Sequence, residues 1–415
     1  MRKHQITFTN DEFHGQFGRT LQAAAARAAD LGEAFATADA IGNRYRPERW
    51  YPHWRARAES VRTDAEESHV AGHLVSAHEA YLRASEYYRQ AYFYLRTDLD
   101  DDRLHECYQA HRETFRLAKE LLVPIGPSYT AEQVAIAYVE RSNKVTINAW
   151  LLRPAGDRPR SRATMVLPCG YDSTAESTAA LNAGAALSRG HAVLAVEGPG
   201  QGASLIEDRL HFRPDYEVVL AQILDWLIAQ PDIDPARIVG IARSFAGYLL
   251  PRGAAADQRL AALVCDPAQP DMGAKIPAGR IGRLAAPALT LLCRVSRERA
   301  DFFRSRMACH GLDDIGDYFD ELRRFTMLDR AAAITCPTLI VESDGDPVGG
   351  HGKQLYEAIG STTKKLVVPD PSTGIAGHCG GLGQRVWERT VYDWVDDVLG
   401  EAVHCQETSV ATLRL

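Results

Sequence analysis

Three segments of this sequence carry residue types suited to attack on a carbonyl carbon. The first is Ile238-Val239-Gly240-Ile241-Ala242-Arg243-Ser244-Phe245-Ala246-Gly247. A β-type apolar run enters a serine and a helix-like stretch leaves it, which is the context of a nucleophile elbow. That turn is tight enough to demand small residues two before and two after the serine. Glycine is usual at both positions; here they are Ala242 and Ala246, with Gly247 next. The competing reading of Ser244 by itself is a helix N-cap. The second segment, Ser343-Asp344-Gly345-Asp346-Pro347-Val348, follows the apolar run Thr338-Leu339-Ile340-Val341-Glu342. An aspartate at a strand end can accept from a histidine Nδ1–H and fix the ring's tautomer. The third, Gly377-His378-Cys379-Gly380-Gly381, sets a histidine in a Gly-rich loop after the last apolar run. The order serine, acid, histidine gives Ser244 as nucleophile and Asp346 as acid. His378 then acts first as general base and later as general acid. Asp344, two residues away, and Asp266, at the end of an earlier apolar run, are the other candidate acids.

Acyl transfer also needs donors for the developing oxyanion. The backbone N–H of Phe245, next after the nucleophile, is one. The second is expected from the loop Pro168-Cys169-Gly170-Tyr171-Asp172-Ser173, where Gly170 lets the chain bend and Tyr171 N–H donates. The alternative for this loop is an ordinary strand-to-helix turn. Gly170, Arg243 and Asp271 are candidate substrate contacts, as is the Tyr171 side chain.

Other patterns point nowhere specific. Glu197-Gly198-Pro199-Gly200-Gln201-Gly202 lacks the Walker lysine and the full G-x-G-x-x-G spacing, so a tight loop explains it better than phosphate binding. His69 and His73 stand i, i+4 on an expected helix without further ligands, and no metal site is expected. The eight cysteines, 107, 169, 265, 293, 309, 336, 379 and 405, contain no C-x-x-C pair and read as reduced, packed thiols.

Two kinds of element must position the reactive residues. Residues 20–123 read as helical, with an Ala-rich stretch over 21–38 and a stripe of Ala77, Tyr81, Ala84, Tyr88 and Tyr92. That stripe is expected to be core or an oligomer contact. After Pro124 the texture changes. Runs 133–140 and 146–152 flank Arg141-Ser142-Asn143-Lys144 as a hairpin. Short apolar runs follow at 163–167, 191–196, 238–241, 261–265, 338–342 and 365–368, with helix-like stretches at 176–189, 216–230 and 244–256. This alternation implies an α/β class: a mostly parallel, doubly wound sheet with helices on both faces. The long connection before Thr338, with a helix-like stretch over 295–307, suggests an inserted helical cap. The expected organisation is a helical region over 1–125, an α/β core over 126–270 and 331–415, and a cap over 271–330.

The bulk numbers agree. A chain of 415 residues, 46% hydrophobic and 24% charged, with net charge −7, fits a globular protein and argues against nucleic-acid binding. No leader and no membrane-length apolar stretch is evident, so the expected compartment is the cytoplasm.

Gly170-Tyr171-Asp172-Ser173-Thr174-Ala175-Glu176, Glu197–Gly202, Arg243-Ser244-Phe245-Ala246-Gly247-Tyr248 and Pro251-Arg252 together resemble the bacterial α/β-hydrolases related to 2,6-dihydroxypseudooxynicotine hydrolase. The helical region and cap fit as well. The family's G-R-S-x-G-G is A-R-S-F-A-G here, and the aspartate usual before G-P-G-Q-G is Glu197. The resemblance implies an α/β-hydrolase fold and a cofactor-free homodimer acting on small molecules, secondary metabolites among them. It implies cleavage of a carbon–carbon bond next to a ketone, or of an ester or amide. An acyltransferase or cyclase with the same triad is the alternative, followed by a non-catalytic binding protein. A prolyl-oligopeptidase type would need a strand-rich propeller where this chain reads helical.

Overall fold

The computed structural model describes residues 7–140, 143–155, 163–277 and 279–400, with only the backbone over 279–284. Cys405, Arg141 and Ser142 of the expected hairpin connection, and the first six residues lie outside the described residues.

Six helices come first: α1 (Asp11–Ala24), α2 (Leu31–Ile41), α3 (Pro47–Val70), α4 (Leu74–Tyr92), α5 (Asp102–Glu120) and α6 (Leu122–Ile125). The Ala-rich stretch over 21–38 is helical as expected but is shared between α1 and α2. Arg27 turns the backbone with φ 58, and the Asp30 carboxylate accepts from Glu33 N–H to start α2 anew. Alanine's propensity favoured continuity, and the cap overrode it. Likewise Gly72, at φ 80, separates α3 from α4, so His69 and His73 do not share a helix face. The Ala77–Tyr92 stripe is core. Trp50 and Trp54 are fully buried beside it, and Trp50 Nε1–H donates to the Gln90 carbonyl at 2.7 Å. Phe13 and Tyr94 pack on Trp50 with ring centroids 4.5 and 5.3 Å away. Such aromatic pairs add about 0.5–1.5 kcal/mol each beyond their buried area.

The sheet is built from β1 (Tyr129–Glu140), β2 (Asn143–Pro154), β3 (Thr164–Pro168), β4 (Ala192–Val196), β5 (Ile238–Arg243), β6 (Ala262–Asp266), β7 (Thr338–Val341) and β8 (Lys364–Val367). Its spatial order is β1-β2-β4-β3-β5-β6-β7-β8. β1–β2 and β2–β4 pair antiparallel, and all later neighbours pair parallel. β3, β4, β6 and β7 are buried throughout, which is why their sequences are continuous apolar runs. The helices are α7 (Ala175–Ser188), α8 (Gly202–Ile206), α9 (Glu217–Ile228), α10 (Ala246–Ala254), α14 (Gly352–Ala358) and α15 (Gln384–Val398). One apolar core joins α7, α15 and the N-terminal helices to one face of the sheet; a second joins α9 and α10 to the other.

Between β6 and β7 lie α11 (Gly279–Val295), α12 (Arg297–His310) and α13 (Ile315–Leu322). The helix-like stretch 295–307 is found as α12, which begins at Arg297 because the Ser296 hydroxyl caps it. Met307, Ile315, Tyr318, Phe319 and Leu322 form a small apolar cluster there. α12 is tied to the N-terminal helices by Tyr45 Oη–H to Asp301 at 3.1 Å and Arg297 to Glu48 at 3.0 Å. Among the described residues no helix is long and apolar enough to cross a membrane.

The strand order fixes where a site can form. The chain runs from β3 outward to β4, then returns across β3 to β5. The carboxyl ends of β3 and β5 therefore flank a topological switch point, the usual ligand crevice of such sheets. Gly170 follows β3 and Ser244 follows β5.

Candidate active site

Ser244 sits at the β5–α10 turn with φ 58, a left-handed conformation that costs a non-glycine residue roughly 1–3 kcal/mol. The turn is held from both sides. Ser244 N–H donates to the Asp266 carbonyl at 2.8 Å, and Gln269 Nε2 donates to the Ser244 carbonyl at 2.7 Å. Ala242 and Ala246 are fully buried and fit where glycine is usual. The position that tolerates no side chain is Gly247, where a Cβ would lie 1.9 Å from the Pro267 carbonyl oxygen.

Ser244 Oγ lies 2.8 Å from His378 Nε2, and His378 Nδ1 lies 3.0 and 3.1 Å from the two Asp346 carboxylate oxygens. With the proton on Nδ1, the ring donates to Asp346 and accepts from the serine hydroxyl. Asp346 also accepts from Val348 N–H at 3.0 Å and Cys379 N–H at 3.2 Å. Burial opposes its charge, but the His378 hydrogen bond and these backbone donors outweigh it and hold the carboxyl below its usual value. Burial also opposes a charged His378. The neighbouring Cys379 and Asp346 favour the charged ring, and the balance raises its pKa to about 10.

The three segments meet because their loops are pinned. The Glu342 carboxylate accepts from Gly350 N–H and Gly352 N–H, closing the loop that carries Asp346. Gly377 N–H donates to the Asp344 carbonyl at 2.7 Å, so Asp344 serves the histidine loop through its backbone while its side chain is exposed. Arg243 holds the same loop. It donates to the Cys379 carbonyl at 2.6 Å, to Gln384 at 3.1 Å and to Asn182, and it lies over the Trp387 ring at 4.2 Å. The sequence suggested a substrate contact for Arg243; its guanidinium is instead committed to the loop.

On the other side of Ser244, a Cβ on Gly170 would lie 3.1 Å from Ser244 Cβ and 3.4 Å from Oγ, so glycine lets this loop reach the nucleophile. Gly170 N–H donates to Ser173 Oγ at 2.7 Å. The N–H groups of Tyr171 and Phe245 donate to no acceptor among the described residues. Two donors beside a serine oxygen are what an oxyanion requires. The Tyr171 and Phe245 rings pack at 4.9 Å. The Tyr171 hydroxyl lies 2.5 Å from His310 Nε2 and 3.2 Å from Tyr318 Oη, tying the loop to α12 and α13. Burial, and then nearby His211, lower the His310 pKa to about 3, so the ring is neutral.

Asp271 is not brought to Ser244 by any contact: it pairs with Thr326 in an isolated bridge and accepts from Gly273 N–H at 2.9 Å, capping its own turn. Glu197 is wrapped by its loop, accepting from Ala203 N–H at 2.8 Å and Ala175 N–H at 3.1 Å. A Cβ on Gly202 would strike the Glu197 carboxylate and one on Gly200 the Phe212 ring, which accounts for these two glycines without a phosphate. Sequence reasoning missed Gln269, Glu342, His310 and Tyr318, whose roles depend on distant contacts. Cys379 adjoins His378 in the chain and could have been found by that adjacency alone. Among the described residues no group of three or more His, Cys, Asp or Glu could hold a metal ion.

No family model matches the chain. It is 35% identical to Hydrolase acrC of Aspergillus aculeatus over 272 residues, 62% of each chain. It is 33% identical to 20-hydroxy-prefusarin hydrolase FUS2 of Gibberella moniliformis over 268 residues, 63% of this chain and 62% of that one. Alpha/beta hydrolase xenA of Xenoacremonium sinensis is 32% identical over 260 residues, 61% and 58% of the two chains. The chain thus spans about three-fifths of the length of these curated relatives. Among solved structures, the 2,6-dihydroxy-pseudo-oxynicotine hydrolase superposes with TM-score 0.70 at 22% identity, covering 92% of this chain and 97% of that one. AbyA5 superposes with TM-score 0.61 at 18% identity, over 94% and 99%. At these identities the superpositions speak to fold. With its sheet order, its serine at the β5–α10 turn and these relatives, the chain has the α/β-hydrolase fold and resembles the α/β-hydrolase superfamily.

Proposed function

We propose that this protein is a serine hydrolase that cleaves a carbon–carbon bond next to a ketone, or an ester or amide, in a small-molecule substrate. The single observation that carries this reading is His378, which bridges Ser244 Oγ at 2.8 Å and the Asp346 carboxylate at 3.0 Å. Ser244 attacks the carbonyl carbon while His378 Nε2 takes its proton. The N–H groups of Phe245 and Tyr171 receive the oxyanion. Collapse expels the leaving carbon, oxygen or nitrogen, which takes the proton from His378. Water, deprotonated by the same ring, then releases the acid and restores the serine.

The substrate class draws support from relatives named as hydrolases, one of them for 20-hydroxy-prefusarin. The domain division at about residues 125, 270 and 330, the homodimer and the small-molecule partner belong to the same proposal. The test is turnover of p-nitrophenyl acetate and of small β-diketones by the wild type and by Ser244→Ala, run in ¹⁸O-labelled water. One labelled oxygen in the product acid, and loss of turnover in the variant, are expected. Equal turnover by both proteins contradicts the serine role, and unlabelled product contradicts hydrolysis.

A further inference from the structure

A second carboxylate stands behind the triad. Asp266 ends β6 and is fully buried. Its backbone carbonyl accepts from Ser244 N–H at 2.8 Å and from the Cys379 thiol at 3.4 Å, so the residue is fixed between the nucleophile and the histidine loop. Neither carboxylate oxygen makes a hydrogen bond of good geometry; the Trp387 indole N–H, itself without another partner, faces them and favours the charged carboxylate. Asp346 presents the opposite case, with its ring and backbone donors.

Burying a carboxylate with so little hydrogen bonding is costly. The groups that face Asp266 are those of the site. Arg243 comes from β5, Asp346 from the loop after β7, His378 from its own loop and Trp387 from α15, with Cys265 beside it in β6. Arg243 is the counter-charge, and its Nε–H is likewise buried and unpartnered while its other nitrogens grip the histidine loop.

We propose that Asp266 is a positioning residue whose charge, acting through space, sets how firmly His378 holds its proton. The proposal deepens the serine-hydrolase reading and rests on it. Ionised, Asp266 favours the imidazolium; protonated, it lets the ring lose its proton more easily. Burial, against the pull of Arg243, raises the Asp266 pKa to about 6.

The test is the pH dependence of fluorophosphonate labelling in the wild type and in Asp266→Asn. Labelling of Ser244 rises with pH as His378 loses its proton. Removing the Asp266 charge is expected to move that rise down by about half to one pH unit. A purely structural role would lower the rate equally at every pH and leave the midpoint in place, and that result overturns the proposal. Should the variant not fold, wild-type protein carrying ¹⁵N-histidine decides the matter. The His378 resonance moves in two steps if Asp266 acts on it, and in one step if it does not. Absence of any Ser244 labelling in the wild type would sink the hydrolase reading instead, and the resonance would still report on Asp266.

Discussion

The two sides of Ser244 are built differently. The histidine side is electrostatic: Asp346, His378, Arg243, Cys379 and Asp266 converge there on loops held by hydrogen bonds. The oxyanion side is steric. Gly170 leaves no room for a side chain beside the serine, the Tyr171 and Phe245 rings pack at a tilt, and a neutral His310 ties the loop to the cap. Carboxylates near that loop have partners of their own: Asp172 is held by Arg19 at 2.6 Å, and the buried Glu176 and Glu197 share the Asn148 amide. The difference teaches that disturbance on the histidine side should alter the pH profile. Disturbance on the oxyanion side should scale the rate without moving it.

The largest effect tests the first half of this comparison. Asp346→Asn keeps the shape but favours the wrong histidine tautomer, and kcat is expected to fall by roughly 10³–10⁴ with an altered pH profile. A loss under tenfold would mean another acid serves His378. Next, Gly170→Ala inserts a methyl 3.1 Å from Ser244 Cβ. A displacement of this size is expected to cost on the order of 10²-fold in kcat/KM, with the pH midpoint unchanged. A shifted midpoint would break the comparison.

Tyr171→Phe leaves His310 Nε2 and Tyr318 Oη without their shared partner. Thermal or denaturant unfolding should show a loss of about 1–3 kcal/mol, and the pH midpoint should again hold. Cys379→Ala belongs to the histidine side. It removes a sulfur 3.6 Å from His378 Nε2 whose ionised form helps to raise the ring's pKa to about 10. The labelling midpoint should therefore move down, making the variant relatively faster at neutral pH. An upward move would reverse the assigned sign.

The smallest effect concerns Glu197. Burial and the nearby Glu176 raise its pKa to about 8. The folded chain then holds a proton that the unfolded chain has lost above the ordinary glutamate value near 4.5. Stability should fall as pH rises between those two values. Denaturant midpoints of Glu197→Gln should show a flatter slope over that range, and an unchanged slope would place the proton elsewhere.

Much of this was legible in the sequence. The buried strands announce themselves as unbroken apolar runs, and the order of Ser244, Asp346 and His378 follows the strand ends that bear them. Asp346 could not be told from Asp344 by spacing; the contact with His378 and the exposure of Asp344 distinguish them. The helix break at Arg27 and Asp30 stayed hidden because alanine-rich composition outweighs a single capping residue in a local reading. The elbow motif pointed at Ala246, whereas the steric demand falls on Gly247 through a carbonyl at Pro267 that sequence cannot position. The hold of Arg243 on the histidine loop stayed hidden for the same reason, since its partners Asn182, Gln384 and Cys379 lie far along the chain.

The most direct measurement of the central claim is intact mass after fluorophosphonate treatment of the wild type and Ser244→Ala. One adduct on the wild type and none on the variant is the expected result. An adduct on both, or on neither while the protein remains folded, would contradict Ser244 as an activated nucleophile.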